Sequence, residues 1–119
     1  MAAEQGHALP RSLRYLAVGG GRVAPALLAR ARALHLPVYE GYGLTECASV
    51  VCLNRPDGHR DGSVGRPLPH ARVSVDDGEL LVEGEATFLG YLGEGARAAG
   101  PVRTGDLGHI DTEGFVHIT

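Results

Sequence analysis

The sequence of 119 residues contains no lysine and no tryptophan, and all 11 of its basic residues are arginine. Chemistry that needs an amine side chain must therefore draw it from elsewhere. Two cysteines, Cys47 and Cys52, are too few for a disulfide framework or a cysteine-based zinc site. No apolar run approaches the ~20 residues of a membrane span, and the first residues lack the apolar core of a signal peptide. These absences predict a reduced, cytoplasmic setting and no membrane span.

Charge and glycine content narrow the class of protein further. The net charge of -3 gives no electrostatic reason to expect nucleic acid or an anionic membrane as a partner. Glycine accounts for 18 of the 119 residues, about twice its usual ~7% share, which indicates many tight turns rather than long helices. A chain of this length forms about one domain and buries roughly two thirds of its unfolded surface.

The first half of the chain predicts a strand, a helix and a second strand. Residues 13–18 are mostly apolar and end in three glycines, a pattern typical of a parallel strand covered on both faces. Pro25 suits the first turn of a helix, which is predicted to run to about residue 35. A short apolar run at residues 36–39 predicts a second strand, and residues 38–40 are expected to lie parallel to the first. The apolar stripe of the helix, which is expected to pack on the sheet, is Leu27, Leu28, Ala31 and Leu34.

The pattern changes after residue 53. Residues 48–53 predict a strand, and the polar loop at residues 54–62 is the predicted boundary. Beyond the loop, short alternating runs are separated by turn signals. The predicted fold class is α/β plus β: a strand-helix-strand unit from a parallel sheet in residues 1–53, then a small antiparallel β-barrel-like subdomain in residues 54–119.

Two hairpins are predicted in the second half. The turn Asp76-Asp77-Gly78 is a strong hairpin signal between two alternating runs. In the second hairpin, pairing of Ile110 with Phe115 would leave His109 and His117 close together but not directly opposed.

Aromatic, hydroxyl and carboxylate side chains come directly after the predicted second strand. Gly41 and Gly43 allow backbone angles and close approaches that a side chain would forbid. Tyr42 lies between them as a flat ring that could rest against a planar group. Thr45 can donate to a phosphate oxygen, and Glu46 supplies a carboxylate that suits Mg²⁺. The same spacing is also typical of a tight strand-to-loop turn with solvated polar residues.

The sequence also contains residues typical of other kinds of site. Residues 19–24 fit the dinucleotide fingerprint Gly-x-Gly-x-x-Ala, and Glu40 follows about 20 residues on, as in a Rossmann-type oxidoreductase. Pro25 argues against that alternative because it would lie inside the helix of such a fold. The histidines are scattered without metal-ligand spacing, and Cys47 is more typical of a buried small side chain than of a nucleophile.

Four segments resemble the adenylate-forming ligases, the family of acyl-CoA synthetases, luciferases and peptide-synthetase adenylation domains. Residues 41–46, Gly-Tyr-Gly-Leu-Thr-Glu, resemble the core motif of that family. Residues 103–108, Arg-Thr-Gly-Asp-Leu-Gly, resemble its ribose-binding segment. Residues 19–21 lie where the family has Gly-Gly-Ala beside the adenine, and residues 63–67 match a connecting segment. The resemblance runs from about Leu13 to the last residue.

The resemblance implies a nucleotide site with assigned roles. Tyr42 would stack on the adenine, and Asp106 would accept both ribose hydroxyls. The catalytic residues would be Thr45, which contacts the α-phosphate, and Glu46, which holds Mg²⁺. Leu44, with the glycine before it, would edge the acyl pocket. The full set of residues implied for nucleotide binding is Gly20, Gly21, Arg22, Gly41, Tyr42, Gly43 and Asp106.

The resemblance also implies an activity. Such enzymes use ATP and Mg²⁺ to join a carboxylic acid to AMP, release pyrophosphate, and pass the acyl group to a thiol such as coenzyme A. The family's lysine-bearing phosphate loop would precede Leu13, and its C-terminal domain with a second lysine would follow Thr119. The chain is therefore expected to be part of a larger ligase, to be inactive alone, and to need the remaining domains as partners. A non-catalytic nucleotide-binding or interaction module stays open as an alternative, and so does the identity of the acid and of the acceptor.

Self-association is also expected. The strand at residues 13–18 has few charges to discourage pairing, and an exposed apolar edge is a template for a second copy. The predicted assembly is a symmetric dimer through the strand-helix-strand unit.

Overall fold

The computed structural model describes residues 10–119, which contain two four-stranded sheets. Within these residues, no helix is long and apolar enough to cross a membrane. The helical segments are α1 (Pro25–Ala33) and a short 3₁₀ turn (Thr45–Cys47). The strands of the first sheet, in spatial order, are β1 (Leu16–Val18), β2 (Val38–Leu44), β3 (Ser49–Leu53) and β4 (Arg66–Pro67). Those of the second are β5 (Ala71–Asp76), β6 (Glu79–Gly84), β7 (Val102–Ile110) and β8 (Val116–Ile118).

The predicted strand-helix-strand unit is present. β1 and β2 are parallel, with Leu16 opposite Val38. Pro25 is the first residue of α1, where its missing N–H leaves no intrahelical bond unmade. The expectation that Leu27 packs on the sheet is wrong: Leu28 and Ala31 are the buried residues of the helix, and Leu27 is 59% exposed. Leu16 is 40% exposed, so β1, the edge strand of the sheet, is not covered on both faces.

β2 is longer than predicted and runs through the motif to Leu44. The prediction that this strand ends at residue 40 is wrong, because β3 folds back antiparallel to β2 and pairs Leu44 with Ser49. The pairing is irregular after Tyr42, and the strands come so close that a Cβ on Gly43 would lie 1.7 Å from the Ser49 carbonyl oxygen. Glycine is thus required for β2 and β3 to pair, and the first sheet is mixed rather than purely parallel.

Both predicted hairpins form, the second with a different register. In the first, Asp77 and Gly78 have positive φ angles of 48° and 81°, as a two-residue turn of this hand requires. In the second, Ile110 pairs with Val116, so His109 lies directly opposite His117 and their rings stack 4.7 Å apart. The expected register is wrong because the Asp111 carboxylate accepts the N–H groups of residues 113 and 115, which places residue 115 in the turn.

One hydrophobic cluster joins the two sheets. It contains Val51 and Cys52 from β3, together with Leu80 and Val82 from β6. Cys47 is buried beside them, as expected of a small apolar side chain. The division of the chain after residue 53 stays a prediction, and residues 1–9 of the first predicted unit lie outside the described residues.

Candidate functional site

A cavity of about 370 Å³ lies where the glycine loop after β1, the middle of β2 and β7 meet. Most of its wall is backbone and apolar side chains, with a few polar groups among them. Its lining includes all seven residues predicted to bind a nucleotide: Gly20, Gly21, Arg22, Gly41, Tyr42, Gly43 and Asp106. A pocket with a few convergent polar groups is the usual form of a small-molecule site.

The glycine loop presents backbone to this cavity. A Cβ on Gly19 would lie 3.0 Å from the Gly41 carbonyl oxygen, so the loop rests closely on β2. Gly20 and Gly21 face open space instead, with no atom within 4 Å of a Cβ built on either one. The buried Glu40 side chain fixes the far end of the loop, since its Oε1 accepts the N–H of Val23 at 3.2 Å.

Tyr42 and Asp106 join the two sheets at the cavity wall. The Tyr42 hydroxyl donates to Asp106 Oδ2 at 2.6 Å, although the two residues are 64 positions apart. Burial, followed by this hydrogen bond, raises the pKa of Tyr42 above its ordinary value, so the phenol stays a hydrogen-bond donor well beyond neutral pH. Asp106 is held in turn, because its N–H donates to Thr104 Oγ1 at 3.1 Å and that hydroxyl donates to the Leu80 carbonyl at 2.8 Å.

The two predicted catalytic residues lie apart from this cavity. Thr45 lines a second cavity of about 650 Å³, which shares Gly20, Gly41, Tyr42 and Gly43 with the first. None of the side chains that line the second cavity is charged. Glu46 lines neither cavity; its Oε1 accepts a hydrogen bond from the Tyr91 hydroxyl at 2.6 Å, which lowers the pKa of Glu46.

A magnesium ion would find no protein cage among the described residues. Among residues 10–119, no group of three or more histidine, cysteine, aspartate or glutamate side chains could hold a metal. Mg²⁺ usually keeps several waters and takes one or two carboxylates together with substrate phosphates. Glu46 therefore fits a site in which phosphate oxygens supply most of the ligands.

Sequence reasoning missed several residues of the first cavity. The dinucleotide fingerprint is the only pattern that singles out Glu40, yet Glu40 lines the cavity and supports the glycine loop. Strand periodicity could have found it, since Glu40 and Tyr42 lie two positions apart on one face of β2. Ile118 and Asp61 also line the cavity, and no local pattern places them near β2.

The cavity has the form of a small-molecule site, and comparison with known families shows the class of protein to which the chain belongs. Residues 1–92 match the family described as AMP-binding enzyme, and the chain belongs to that family. The predicted resemblance is confirmed, and the Rossmann-type oxidoreductase is ruled out.

Curated relatives carry the names of CoA ligases. The chain is 34% identical over 126 residues to a 2-succinylbenzoate–CoA ligase of Bacillus pumilus, covering 92% of this chain and 26% of that protein. It is 40% identical over 110 residues to a long-chain-fatty-acid–CoA ligase of Mycobacterium bovis, covering 87% of this chain and 18% of that protein. The chain thus spans about a quarter or less of the length of these relatives.

Solved structures agree with the fold. The unliganded O-succinylbenzoate coenzyme A synthetase of Bacillus subtilis has a TM-score of 0.84 at 30% identity, covering 98% of this chain and 28% of that one. The same enzyme in complex with ATP and a magnesium ion has a TM-score of 0.82 at 30% identity, with the same coverage.

Proposed function

We propose that this chain is the adenine- and ribose-binding part of an ATP-dependent ligase. The whole enzyme would activate a carboxylic acid as an acyl-adenylate and transfer the acyl group to the thiol of coenzyme A. The observation that carries the proposal is the hydrogen bond between Tyr42 and Asp106. It brings an aromatic ring and a carboxylate from distant parts of the chain into one cavity beside an open glycine loop.

The first cavity suits an adenosine group. The backbone of Gly20, Gly21 and Arg22 would border the adenine, and the Tyr42 ring would lie against its face. Asp106 would accept the two ribose hydroxyls in charge-assisted hydrogen bonds. The Tyr42 hydroxyl, which keeps its proton, holds Asp106 Oδ2 and so orients the carboxylate for this contact.

The second cavity suits the reacting groups. Thr45 lies at its wall and would donate to an oxygen of the α-phosphate. Gly43 and Leu44 line the same cavity and would edge the acyl group of the acid. Because the two cavities share the β2 wall, an acid in the second would lie beside a nucleotide in the first. Its carboxylate oxygen could then attack the α-phosphorus as pyrophosphate leaves.

Glu46 would hold Mg²⁺, which when bound offsets the negative charge of the phosphates. The residues present fit this role as a single carboxylate beside phosphate ligands. The ligase would contain the lysine groups that this chain lacks, so the chain alone is expected to bind adenine nucleotides weakly and to catalyse nothing. A cytoplasmic location and the remaining ligase domains as partners are part of the same proposal.

Acid-dependent exchange between ATP and pyrophosphate tests the proposal. The ligase that contains this chain should catalyse the exchange with a suitable acid and then form the CoA thioester, whereas the isolated chain should do neither. A panel of aliphatic, aryl and dicarboxylic acids would also identify the substrate. Nucleotide binding by the ligase without exchange for any acid would favour the non-catalytic module, and robust exchange by the pure isolated chain would contradict the assignment of catalysis to the whole enzyme.

A further inference from the structure

A single loop outside both cavities contacts Glu46 twice. The N–H of Phe88 donates to the Glu46 main-chain oxygen at 2.7 Å. The Tyr91 hydroxyl donates to Oε1 of the same residue at 2.6 Å, across 45 positions of sequence. We call residues 87–97 the bracing loop. Because one contact fixes the main chain of Glu46 and the other its carboxylate, the loop can determine where the carboxylate lies.

The bracing loop is itself held in place by Arg97. The Arg97 guanidinium donates to the Phe88 carbonyl at 2.9 Å and to Thr87 Oγ1 at 3.2 Å. Its main-chain N–H donates to the Leu89 carbonyl at 2.8 Å, which closes the loop. Tyr91 packs against Phe88 edge to face, with ring centroids 4.9 Å apart. The Tyr91 hydroxyl is therefore presented by a closed loop and a ring contact, even though more than half of the residue is exposed.

The turn that carries Glu46 is equally constrained. Cys47, the next residue, is buried in the cluster between the sheets. Ala48 and Ser49 follow with positive φ angles of 54° and 90°, which non-glycine residues rarely adopt. The main chain on both sides of the Glu46 carboxylate is thus fixed, and the side-chain rotamer is the freedom that remains.

We infer that Tyr91 is a positioning residue that orients the Glu46 carboxylate for a divalent cation. Tyr91 engages Oε1 and fixes the side-chain rotamer, so that the second carboxylate oxygen is available to the cation. The inference rests on the metal role of Glu46 in the proposed function. A purely structural tether between the loop and the turn would hold the loop in place without changing the use of the cation.

Tyr91→Phe separates these roles because it keeps the ring on Phe88 and removes only the hydroxyl. In the 119-residue chain, three-bond couplings about the Glu46 χ1 angle should indicate one rotamer, and in Tyr91→Phe they should average. In the ligase, Tyr91→Phe should raise the Mg²⁺ concentration for half-maximal exchange about two- to fivefold, the effect of one exposed charge-assisted hydrogen bond. The maximal rate at saturating Mg²⁺ should be largely restored.

Tyr15→Phe is the matched control. It also removes one tyrosine hydroxyl, which bonds the Asn54 carbonyl at 3.2 Å, and should change neither the Glu46 couplings nor the Mg²⁺ requirement. Leu89→Ala, at a highly exposed position of the bracing loop, should likewise change neither.

Each of three results would overturn a different part of the inference about Tyr91. Unchanged Glu46 couplings in Tyr91→Phe would show that Tyr91 does not position the side chain. Averaged couplings with an unchanged Mg²⁺ requirement would reject the metal role of the contact while leaving acyl-adenylate formation intact. Absence of acid-dependent exchange in the unmodified ligase would reject the proposed function and the metal role with it, and the couplings would still decide whether Tyr91 orients Glu46.

Discussion

Removal of the Asp106 carboxylate should weaken the use of ATP through the ribose. Two charge-assisted hydrogen bonds to the ribose hydroxyls, at about 1.5–3 kcal/mol each, set an upper limit on the loss. Water that replaces the carboxylate reduces this loss, so we expect Asp106→Ala in the ligase to lower kcat/KM for ATP about 10- to 100-fold. Tyr42→Phe removes only the hydroxyl that orients Asp106, and its cost should be smaller, about two- to tenfold.

Deoxynucleotides make this test specific to the ribose. Initial rates should be measured against ATP, 2′-deoxy-ATP and 3′-deoxy-ATP at saturating acid and Mg²⁺. The unmodified ligase should discriminate against both analogues, and Asp106→Ala should lose most of that discrimination. Because Tyr42 acts through Asp106, the effects of Tyr42→Phe and Asp106→Ala should not add in the double variant.

Asp57→Ala is the control, since this exposed carboxylate pairs only with a neighbouring arginine among the ion pairs of the described residues. Its kcat/KM should equal that of the unmodified enzyme. Discrimination by Asp106→Ala as strong as that of the unmodified ligase would refute the ribose contact, and so would an unchanged KM for ATP together with an unchanged kcat.

Three further changes test other parts of the structure. Glu46→Gln keeps the shape of the side chain but loses its charge, so ATP–pyrophosphate exchange by the ligase should fall at least about tenfold. Raised Mg²⁺ should partly restore the rate, and full activity at ordinary Mg²⁺ would reject the metal role. Leu16 lies exposed on the edge strand, where we expect two copies of the chain to form a symmetric dimer. Sedimentation should show a dimer of the unmodified chain at micromolar concentration and a folded monomer of Leu16→Lys. A monomeric unmodified chain would contradict this expectation. Desolvation raises the pKa of Asp111, but hydrogen bonds with His117 and the Phe115 N–H outweigh it and, with a nearby arginine, lower the pKa from 3.8 to about 2. Because folding lowers this pKa, the ionised carboxylate stabilises the fold at pH values above its ordinary pKa, and this stabilisation is lost as the pH falls toward 2. Asp111→Asn should therefore lower the Tm at pH 7 and not near pH 2. An equal change in Tm at both pH values would argue against the pairing.

Features set by local chemistry could be predicted from the sequence. Pro25 marks the start of α1 because its fixed φ and missing N–H suit a first helical turn. Asp77 and Gly78 mark the first hairpin because a two-residue turn of that hand needs positive φ at both positions. Sequence motifs identify the glycine loop, Tyr42 and Asp106, and the structure brings them to one cavity.

Features set by distant parts of the chain could not be predicted. The extension of β2 depends on its pairing with β3, and nothing in residues 41–44 alone indicates that partner. The register of the second hairpin depends on two hydrogen bonds that the Asp111 carboxylate accepts from main-chain N–H groups, which draw one more residue into the turn. The contact between Glu46 and Tyr91 joins positions 45 apart, through a loop that has no regular secondary structure.

The hydrogen bond between Tyr42 and Asp106 would link the proposed nucleotide binding to the integrity of the whole fold. One residue lies on the first sheet and the other on the second, so the cavity keeps its shape only while the sheets stay docked. A ligand that binds the docked form and not the separated one stabilises it by RT ln(1 + [L]/Kd), about 2.7 kcal/mol at a hundredfold excess over Kd. If the proposed site is right, adenosine and AMP should therefore slow hydrogen exchange in β3 and β7 alike, although β3 supplies no side chain to the first cavity.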